Sequence, residues 1–489
     1  MNNGRNNKML VKEKLNERQK SFSRRDFLKI AGGAGIAGAV FATTTAMTEV
    51  PGSNQDMIGS RLKDPYLPQY PSDYPWWVKE IDDTPNSLGT TEIVPSELVL
   101  GATKIYGKYQ AFTDGRQDGF QAVGNAVTNQ DWTGEWGQIA KDAVDNKNKW
   151  LATLTPDQMY DYRFGTAMVM ASDHWHVNTS ENNWIKLPVA ATKVELSAEE
   201  MTIKLKNVAH WFGVDQARVC AIDDKMKPFF YKIAATSGTL RGYRPKGWVD
   251  PGRPVAWPYP YKYAIVMSIF VSLPTHRAGV GPLANASTAT TCSDQDVFAK
   301  YMESTIRGLG YEAYGMIIAD EDCCETPFAV RAGLAEAGRI GLAIAPWGAG
   351  LRTVIVVTNA PLMPDKPIDF GLLEFCKVCG RCSKNCVAQV IGNDAEPTLI
   401  NGSYKWEYDG LKCMQQRTSY GCQFCVSVCP WSAPNTPAHD FGRFFASIPA
   451  LAPAMVKIAE MSYGEYPRGK DAPPWQPWHS SDEWAPWRA

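Results

Sequence analysis

Apolar positions fall at 297, 298, 301, 302, 306 and 309, one face of a helix over Asp296 to Leu309. Ala198 to Phe212 carries a second helical pattern, and Val214 to Ile222 holds room for a short strand. Two runs are apolar without alternation: Tyr263 to Phe270 (YAIVMSIF) and Thr353 to Thr358 (TVIVVT). Unalternating β-branched runs of that length predict strands buried on both faces. From about residue 195 onward the chain therefore predicts a mixed α/β (α+β) core. Residues 47 to about 110 are rich in Pro, Tyr and Trp and predict an irregular wrapping segment. Pro361 to Pro367 predicts a linker, and the chain after Pro467 is a Pro/Trp-rich tail.

The N-terminus changes the picture first. Ser23-Arg24-Arg25-Asp26-Phe27-Leu28-Lys29 precedes a glycine- and alanine-rich apolar stretch and small residues at Thr44-Thr45-Ala46. That is the pattern of a twin-arginine signal, residues 1–46, on a protein exported already folded. The apolar stretch is shorter than the roughly 20 residues that span a bilayer, and no other segment reaches that length. The expected location is outside the cytoplasmic membrane, soluble or peripherally attached. Net charge is −1 and no basic run follows the signal, which argues against a nucleic-acid partner. With 17 Trp and 20 Tyr, the chain has the aromatics to line a deep apolar pocket.

Eight of the 12 cysteines carry the chemistry. Cys376, Cys379, Cys382 and Cys386 read C-x2-C-x2-C-x3-C, and Cys413, Cys422, Cys425 and Cys429 read C-x8-C-x2-C-x3-C before Pro430. In two-cluster ferredoxins each run lends its last cysteine to the other run's cluster. That logic assigns one [4Fe–4S] cluster to Cys376, Cys379, Cys382 and Cys429, and the second to Cys386, Cys413, Cys422 and Cys425. Val387 stands where proline usually follows, and the eight-residue gap makes Cys413 the least typical ligand. Zinc would want two C-x2-C knuckles instead. An exported chain whose cysteines serve metal suggests an anaerobic setting. Cys220, Cys292, Cys323 and Cys324 fall outside the runs.

Signal, α/β middle, Pro364-Asp365-Lys366-Pro367-Ile368-Asp369-Phe370-Gly371 and two cysteine runs, in this order, resemble the catalytic subunits of respiratory reductive dehalogenases. Ile306-Arg307-Gly308-Leu309-Gly310-Tyr311 and Ala332-Gly333-Leu334-Ala335-Glu336-Ala337-Gly338-Arg339 look like landmarks of the same family, with Ala335 where glycine is usual.

The resemblance implies a nitroreductase-like cobamide-binding core over 196–366, a ferredoxin-like two-cluster domain over 367–445, a wrapping region over 47–195 and a tail over 446–489. It implies a base-off cobamide (a cobalamin-type corrinoid) beside the two [4Fe–4S] clusters. No D-x-H-x-x-G motif is present to supply a lower cobalt ligand, and the histidines read as solvated or hydrogen-bonded. Gly333, Gly338 and Gly341 would let backbone approach the flat macrocycle.

Arg352 falls at the family's basic active-site position. The family's proton-donating tyrosine is not matched: fifteen residues before Arg307 stands Cys292, a thiol able to serve as donor. Tyr301, Tyr311 and Tyr314 are close in sequence, with Tyr301 expected in the core. Asp320-Glu321-Asp322 forms an acidic turn near the family's substrate loop. Implied partners are a small organohalide substrate, a membrane-anchor B subunit and a respiratory electron donor. The competing readings are an epoxyqueuosine-reductase-like corrinoid enzyme, which an export signal argues against, and an exported ferredoxin-like electron-transfer subunit, for which this chain is far too long.

Overall fold

A computed structural model describes residues 74–82, 98–100, 103–105, 126–127, 130–156, 158–159, 162, 188–223, 226, 229–230, 233–234, 253–254, 261–271, 281–316, 323–400, 403–433 and 437–463. The signal, the acidic turn Asp320-Glu321-Asp322 and the chain after 463 lie outside the described residues.

Three short strands come first in the chain: β1 (Lys79–Glu80), β2 (Leu98–Leu100) and β3 (Thr103–Ile105). The central sheet is built from β4 (Gln216–Ala221), β7 (Tyr263–Phe270), β8 (Ala313–Met316) and β11 (Leu351–Thr358). Its order is β4-β7-β11-β8 and every pairing is antiparallel. The two long central strands are the two unalternating runs, buried because helices cover both faces. Between β4 and β7 lies the ribbon β5 (Ile233–Ala234) with β6 (Arg253–Pro254).

Helix α1 (Gly134–Leu151) precedes the sheet. Helix α2 (Ala198–Phe212) spans the expected residues. It opens on a capping box between Ser197 and Glu200 and closes on left-handed Gly213. Helix α3 (Pro282–Gly308) starts well before the expected Asp296. Together α2 and α3 cover one face, with Met201, Leu205, Phe298, Met302 and Ile306 against Val219, Ile265, Val354 and Val356. On the other face α4 (Glu325–Arg331) brings Phe328 and Ala329 against Val266, Ile355 and Val357.

A hairpin, β9 (Glu336–Ala337) with β10 (Ala343–Ile344), follows α4. After β11, the strand β12 (Ile368–Asp369) pairs with β1. The expected linker is a fixed joint. Asp365 accepts the Val219 N–H at 2.7 Å and the Lys206 ammonium at 2.6 Å, and the Lys366 carbonyl accepts from Arg218 at 3.1 Å.

The cysteine-rich region comprises α5 (Leu372–Cys379), α6 (Arg381–Lys384), α7 (Gly410–Tyr420), α8 (Phe424–Ser427), α9 (Pro437–Ala446) and α10 (Ala452–Tyr463). Gly380 (φ 59°) separates α5 from α6 and so sets the turn between Cys379 and Cys382. β13 (Thr398–Ile400) and β14 (Ser403–Lys405) join β3 and β2 in a second sheet, ordered β13-β14-β3-β2. The core here gathers Trp77, Phe370, Phe375, Trp431, Ala452, Met455 and Val456. Helix α10 thus extends this unit past the expected boundary at 445, because its apolar face is buried against the cysteine-bearing helices. Helix α1 packs its Ala140 near Met414 of α7 and sets Trp150 edge-on to Tyr420 at 5.6 Å. Part of the expected wrapping region is therefore an ordered helix bracing α7.

Candidate functional site

The eight run cysteines gather as two sets. Burial pushes the Cys376, Cys379 and Cys382 thiols up, and Cys429 up to about 12. Cys376 and Cys382 each feel Cys379 and Cys429, and Cys382 also feels Cys376. In the second set burial pushes Cys413 and Cys425 up, and Cys422 up to about 12. Cys425 feels Cys413, Cys422 and Cys386. Cys382 also feels Cys425, so the two sets adjoin. This is the crossed arrangement that the spacing suggests, with the last cysteine of each run beside the other run's trio.

Thiols buried together this way titrate with difficulty on their own, and a bound metal is what drives off their protons. Among the described residues, no trio of His, Cys, Asp and Glu side chains stands close enough for a single ion. Thiolates on one zinc, at about 2.3 Å from the metal, must crowd together. Those on a cubane each hold a separate iron and stand farther apart. The donor set, all sulfur and four plus four, fits two cubanes.

Arg352 and Cys292, far apart in sequence, both act on the charge of Arg417. Arg352 is the second residue of β11, paired with Ile269, and shares its face of the sheet with Val354 and Val356. That face is covered by α3, which carries Cys292. The third member is Arg417 on α7, depressed by burial and then by the charge of Arg352, and acted on in the opposite sense by Cys292, Cys413 and Tyr408. Arg417 lies one helical turn after Cys413, so one face of α7 carries both a thiol of the second set and a guanidinium. Tyr408 hydrogen-bonds Cys413; its ring is exposed while its hydroxyl points inward. Sequence reading did not single out Arg417; its position four residues after Cys413 was the available signal.

The tyrosines near Cys292 in sequence sit elsewhere. Tyr314 pairs with Val357, five residues along β11 from Arg352 and so about 17 Å away. Tyr311 is buried and donates to the Val194 carbonyl at 3.1 Å. Tyr301, expected in the core, is exposed and tilted against Phe212 at 4.9 Å. It falls on the rim of the α2–α3 contact, where an aromatic ring covers the helix pair.

The glycines correct the expectation in part. A Cβ on Gly333 (φ 78°) would stand 2.1 Å from the Lys366 carbonyl, and Tyr74 donates to the Gly333 carbonyl. A Cβ on Gly338 would meet Ile344 at 2.2 Å. Both close approaches are to this chain's own atoms, so neither is needed for a macrocycle. Gly341 (φ 75°) turns the β9–β10 hairpin and has open space beside it. Elsewhere in the core, Ser268 Oγ and Gln295 Oε1 are buried with no protein hydrogen-bond partner among the described residues. Such atoms suit a ligand fringed with amides, as a corrin is.

His210 is held below its usual value by burial and faces the Val214 carbonyl at 3.3 Å, a structural role. Glu336, buried at 1% exposure, accepts the Phe370 N–H at 2.6 Å at the start of α5.

The chain is similar to reductive dehalogenases in both sequence and fold. No family model matches it. Tetrachloroethene reductive dehalogenase of Sulfurospirillum multivorans is 34% identical over 185 residues, 36% of this chain and 36% of the relative. That of Desulfitobacterium hafniense is 32% identical over 197 residues, 38% of this chain and 35% of the relative. The chain thus covers little more than a third of the length of these relatives. The solved catabolic reductive dehalogenase NpRdhA superposes with a TM-score of 0.58 at 18% identity, over 83% of this chain and 51% of that one. It is also known in complex with 3-bromo-4-hydroxybenzoic acid. A solved reductive dehalogenase described as suggesting a mechanism for B12-dependent dehalogenation gives 0.58 at 18% identity, over 85% of this chain and 52% of that one.

Proposed function

We propose that the protein is a reductive dehalogenase of organohalide respiration, an oxidoreductase that replaces the halogen of a small organic molecule by hydrogen. The observation that carries this reading is Arg417, one helical turn after Cys413 on α7, whose charge feels both Arg352 and Cys292. Electron delivery and a polar reaction site are thereby joined by one helical turn. The α/β core is read as nitroreductase-like, with the reaction site where the sheet meets the cysteine-rich unit.

Cys376, Cys379, Cys382 and Cys429 would hold one [4Fe–4S] cluster, and Cys386, Cys413, Cys422 and Cys425 the other. Ser268, Gln295 and the open side of Gly341 are the described groups that would meet a base-off cobamide. When bound, these groups supply single electrons and a strongly reducing cobalt centre.

The chain's own residues handle charge and the proton. Halogen removal takes two electrons and one proton and releases a halide anion. Arg352 and Arg417 are permanent cations and stabilise negative charge that develops between them. Neither gives up a proton at ordinary pH, so Cys292 Sγ is the proton-bearing group of the trio. The second thiol set lies on the reaction side through Cys413, and the first set lies behind it through Cys382 and Cys425.

The relatives' names and the NpRdhA complex point to chlorinated ethenes and brominated phenols as the substrate classes to try first. The signal pattern adds twin-arginine export to the outer face of the cytoplasmic membrane, with peripheral attachment through a small membrane-anchor subunit and a respiratory donor. No helix among the described residues is long and apolar enough to cross a membrane.

The test is elemental and catalytic. Protein matured under anoxic conditions should contain cobalt together with about eight irons per chain. It should release halide from at least one member of a panel of chlorinated ethenes and bromophenols under a low-potential donor. Iron without cobalt, and no halide release, would establish an electron-transfer subunit instead.

A further inference from the structure

Arg339 is a buried cation with no acid to answer it. It is 2% exposed. Its guanidinium makes four hydrogen bonds, all to backbone carbonyls. Nε and Nη2 donate to Cys376 O at 3.2 and 2.8 Å, and Nη1 donates to Gly392 O at 2.8 Å and Asp394 O at 2.7 Å. The plane rests 4.5 Å from the Trp406 ring centroid. Among the described residues no carboxylate pairs with it. Carbonyl dipoles orient a guanidinium and do not neutralise it, so its charge acts on what lies nearby, strongly in so dry a place.

What lies nearby is the first thiol set. Arg339 donates twice to the Cys376 carbonyl, so its charge stands against the stretch of α5 that carries both Cys376 and Cys379. Arg381, 2% exposed, donates to the Val428 carbonyl at 3.3 Å, next to Cys429. Lys384 adds to this, but it is half exposed and faces Glu460 at 3.9 Å, so its share is small. The second set is different. Arg417 favours its charged forms, and Asp409 opposes that at Cys413. Two buried cations thus stand against the first set, while the carboxylate of Asp409 caps the helix that carries Cys413 of the second.

On the reading of the two sets as cubane sites, we infer that Arg339 sets a reduction potential. Its charge holds the Cys376/Cys379/Cys382/Cys429 centre above the Cys386/Cys413/Cys422/Cys425 centre, so the first electron rests there. A thiolate-ligated cubane is a net anion, and reduction adds one more negative charge, which a buried cation favours. The second centre, on the Arg417 side, is reduced only after the first is filled. Arg339 is a positioning and potential-setting residue that touches no substrate.

The experiment is an anoxic redox titration of the full protein followed by electron paramagnetic resonance, comparing the parent with Arg339→Gln and Arg339→Lys. The Gln variant keeps a donor to the carbonyls and removes the charge. It should lower the reduced-to-oxidised ratio of the higher couple about tenfold at a fixed potential, about 59 mV for one electron, and leave the lower couple in place. The Lys variant should restore most of the shift. An unmoved pair of couples, equal movement of both, or movement of the lower one alone overturns the inference. If the Gln variant loses iron, the Lys variant decides. Two retained clusters with the higher couple near its parent position support the role of charge. A displaced couple, or iron loss in the Lys variant too, shows that the fork of hydrogen bonds is what matters. A parent protein lacking about eight irons would instead sink the reading of the thiol sets themselves, before any variant is made.

Discussion

Glu336 gives the sharpest test of how the first thiol set is held. Helix α5 carries Cys376 and Cys379, and its own N-cap, Gly371, supplies no side-chain acceptor. Glu336 reaches across from β9 and accepts the Phe370 N–H at 2.6 Å, with the Leu372 and Leu373 N–H groups also directed at it. It therefore does, from another strand, what an N-cap does locally. Burial, and then the charge of Asp369, hold its carboxyl well above the usual carboxylate range.

Glu336→Ala strands the buried Phe370 N–H, at about 1–3 kcal/mol, and removes a cap, at about 1 kcal/mol. The sum, about 2–4 kcal/mol, is large beside a typical stability of about 5–15 kcal/mol. Iron content should fall toward half as α5 loosens. Glu336→Gln keeps the acceptor and the shape, so it should keep the iron.

The acid and its amide then separate with pH. An acid whose pKa is raised by folding binds more protons folded than unfolded. Its contribution is whole below the unfolded pKa, near 4.3, and is lost as pH climbs toward the folded value. The loss approaches about 1.36 kcal/mol per pH unit. Denaturant midpoints of the iron-loaded protein at about pH 6 and about pH 8 measure it. The Gln variant should gain on the parent as pH rises. Equal behaviour of the Ala and Gln variants would refute the capping role, and a gap that does not widen with pH would refute the raised acid.

Three other substitutions follow from the site and the joint. Arg352→Ala should abolish halide release while cobalt and iron contents stay at the parent level; turnover near the parent rate would remove Arg352 from the chemistry. Cys292→Ser should slow turnover sharply, since a hydroxyl is a far weaker acid than a thiol, and a rate close to the parent's would mean that another group gives the proton. Gly333→Ala forces a Cβ to within 2.1 Å of the Lys366 carbonyl at a φ of 78°, so thermal unfolding should begin several degrees lower, a cost of about 1–3 kcal/mol. An unchanged unfolding temperature would show that the joint between α4 and the 364–371 segment yields freely.

Legibility in the sequence tracked how each buried face is written. Helix α2 was readable to the residue because its apolar stripe is framed by Ser197 and Gly213, and β7 and β11 because covered strands are apolar throughout. The first half of α3 was not, since Ser287, Thr288, Thr291, Ser293 and Asp294 are buried there and no apolar period marks them. Helix α1 hid for a related reason: Gly137, Ala140 and Ala143 make its inner face, and small residues carry little hydrophobic signal. Helix α10 was readable in principle from Ala452, Met455, Val456 and Ala459, a helical stripe overshadowed by the Pro/Trp-rich chain beyond it.

The site divides in the same way. Ligand spacing is local chemistry, so the thiol sets could be partitioned from spacing alone. The influence of Arg352 and Cys292 on Arg417 is tertiary, since the three come from β11, α3 and α7. A count along the chain to find a missing tyrosine searches only α3, whereas the partner that completes this trio comes from a helix 125 positions later, beyond the reach of any local count.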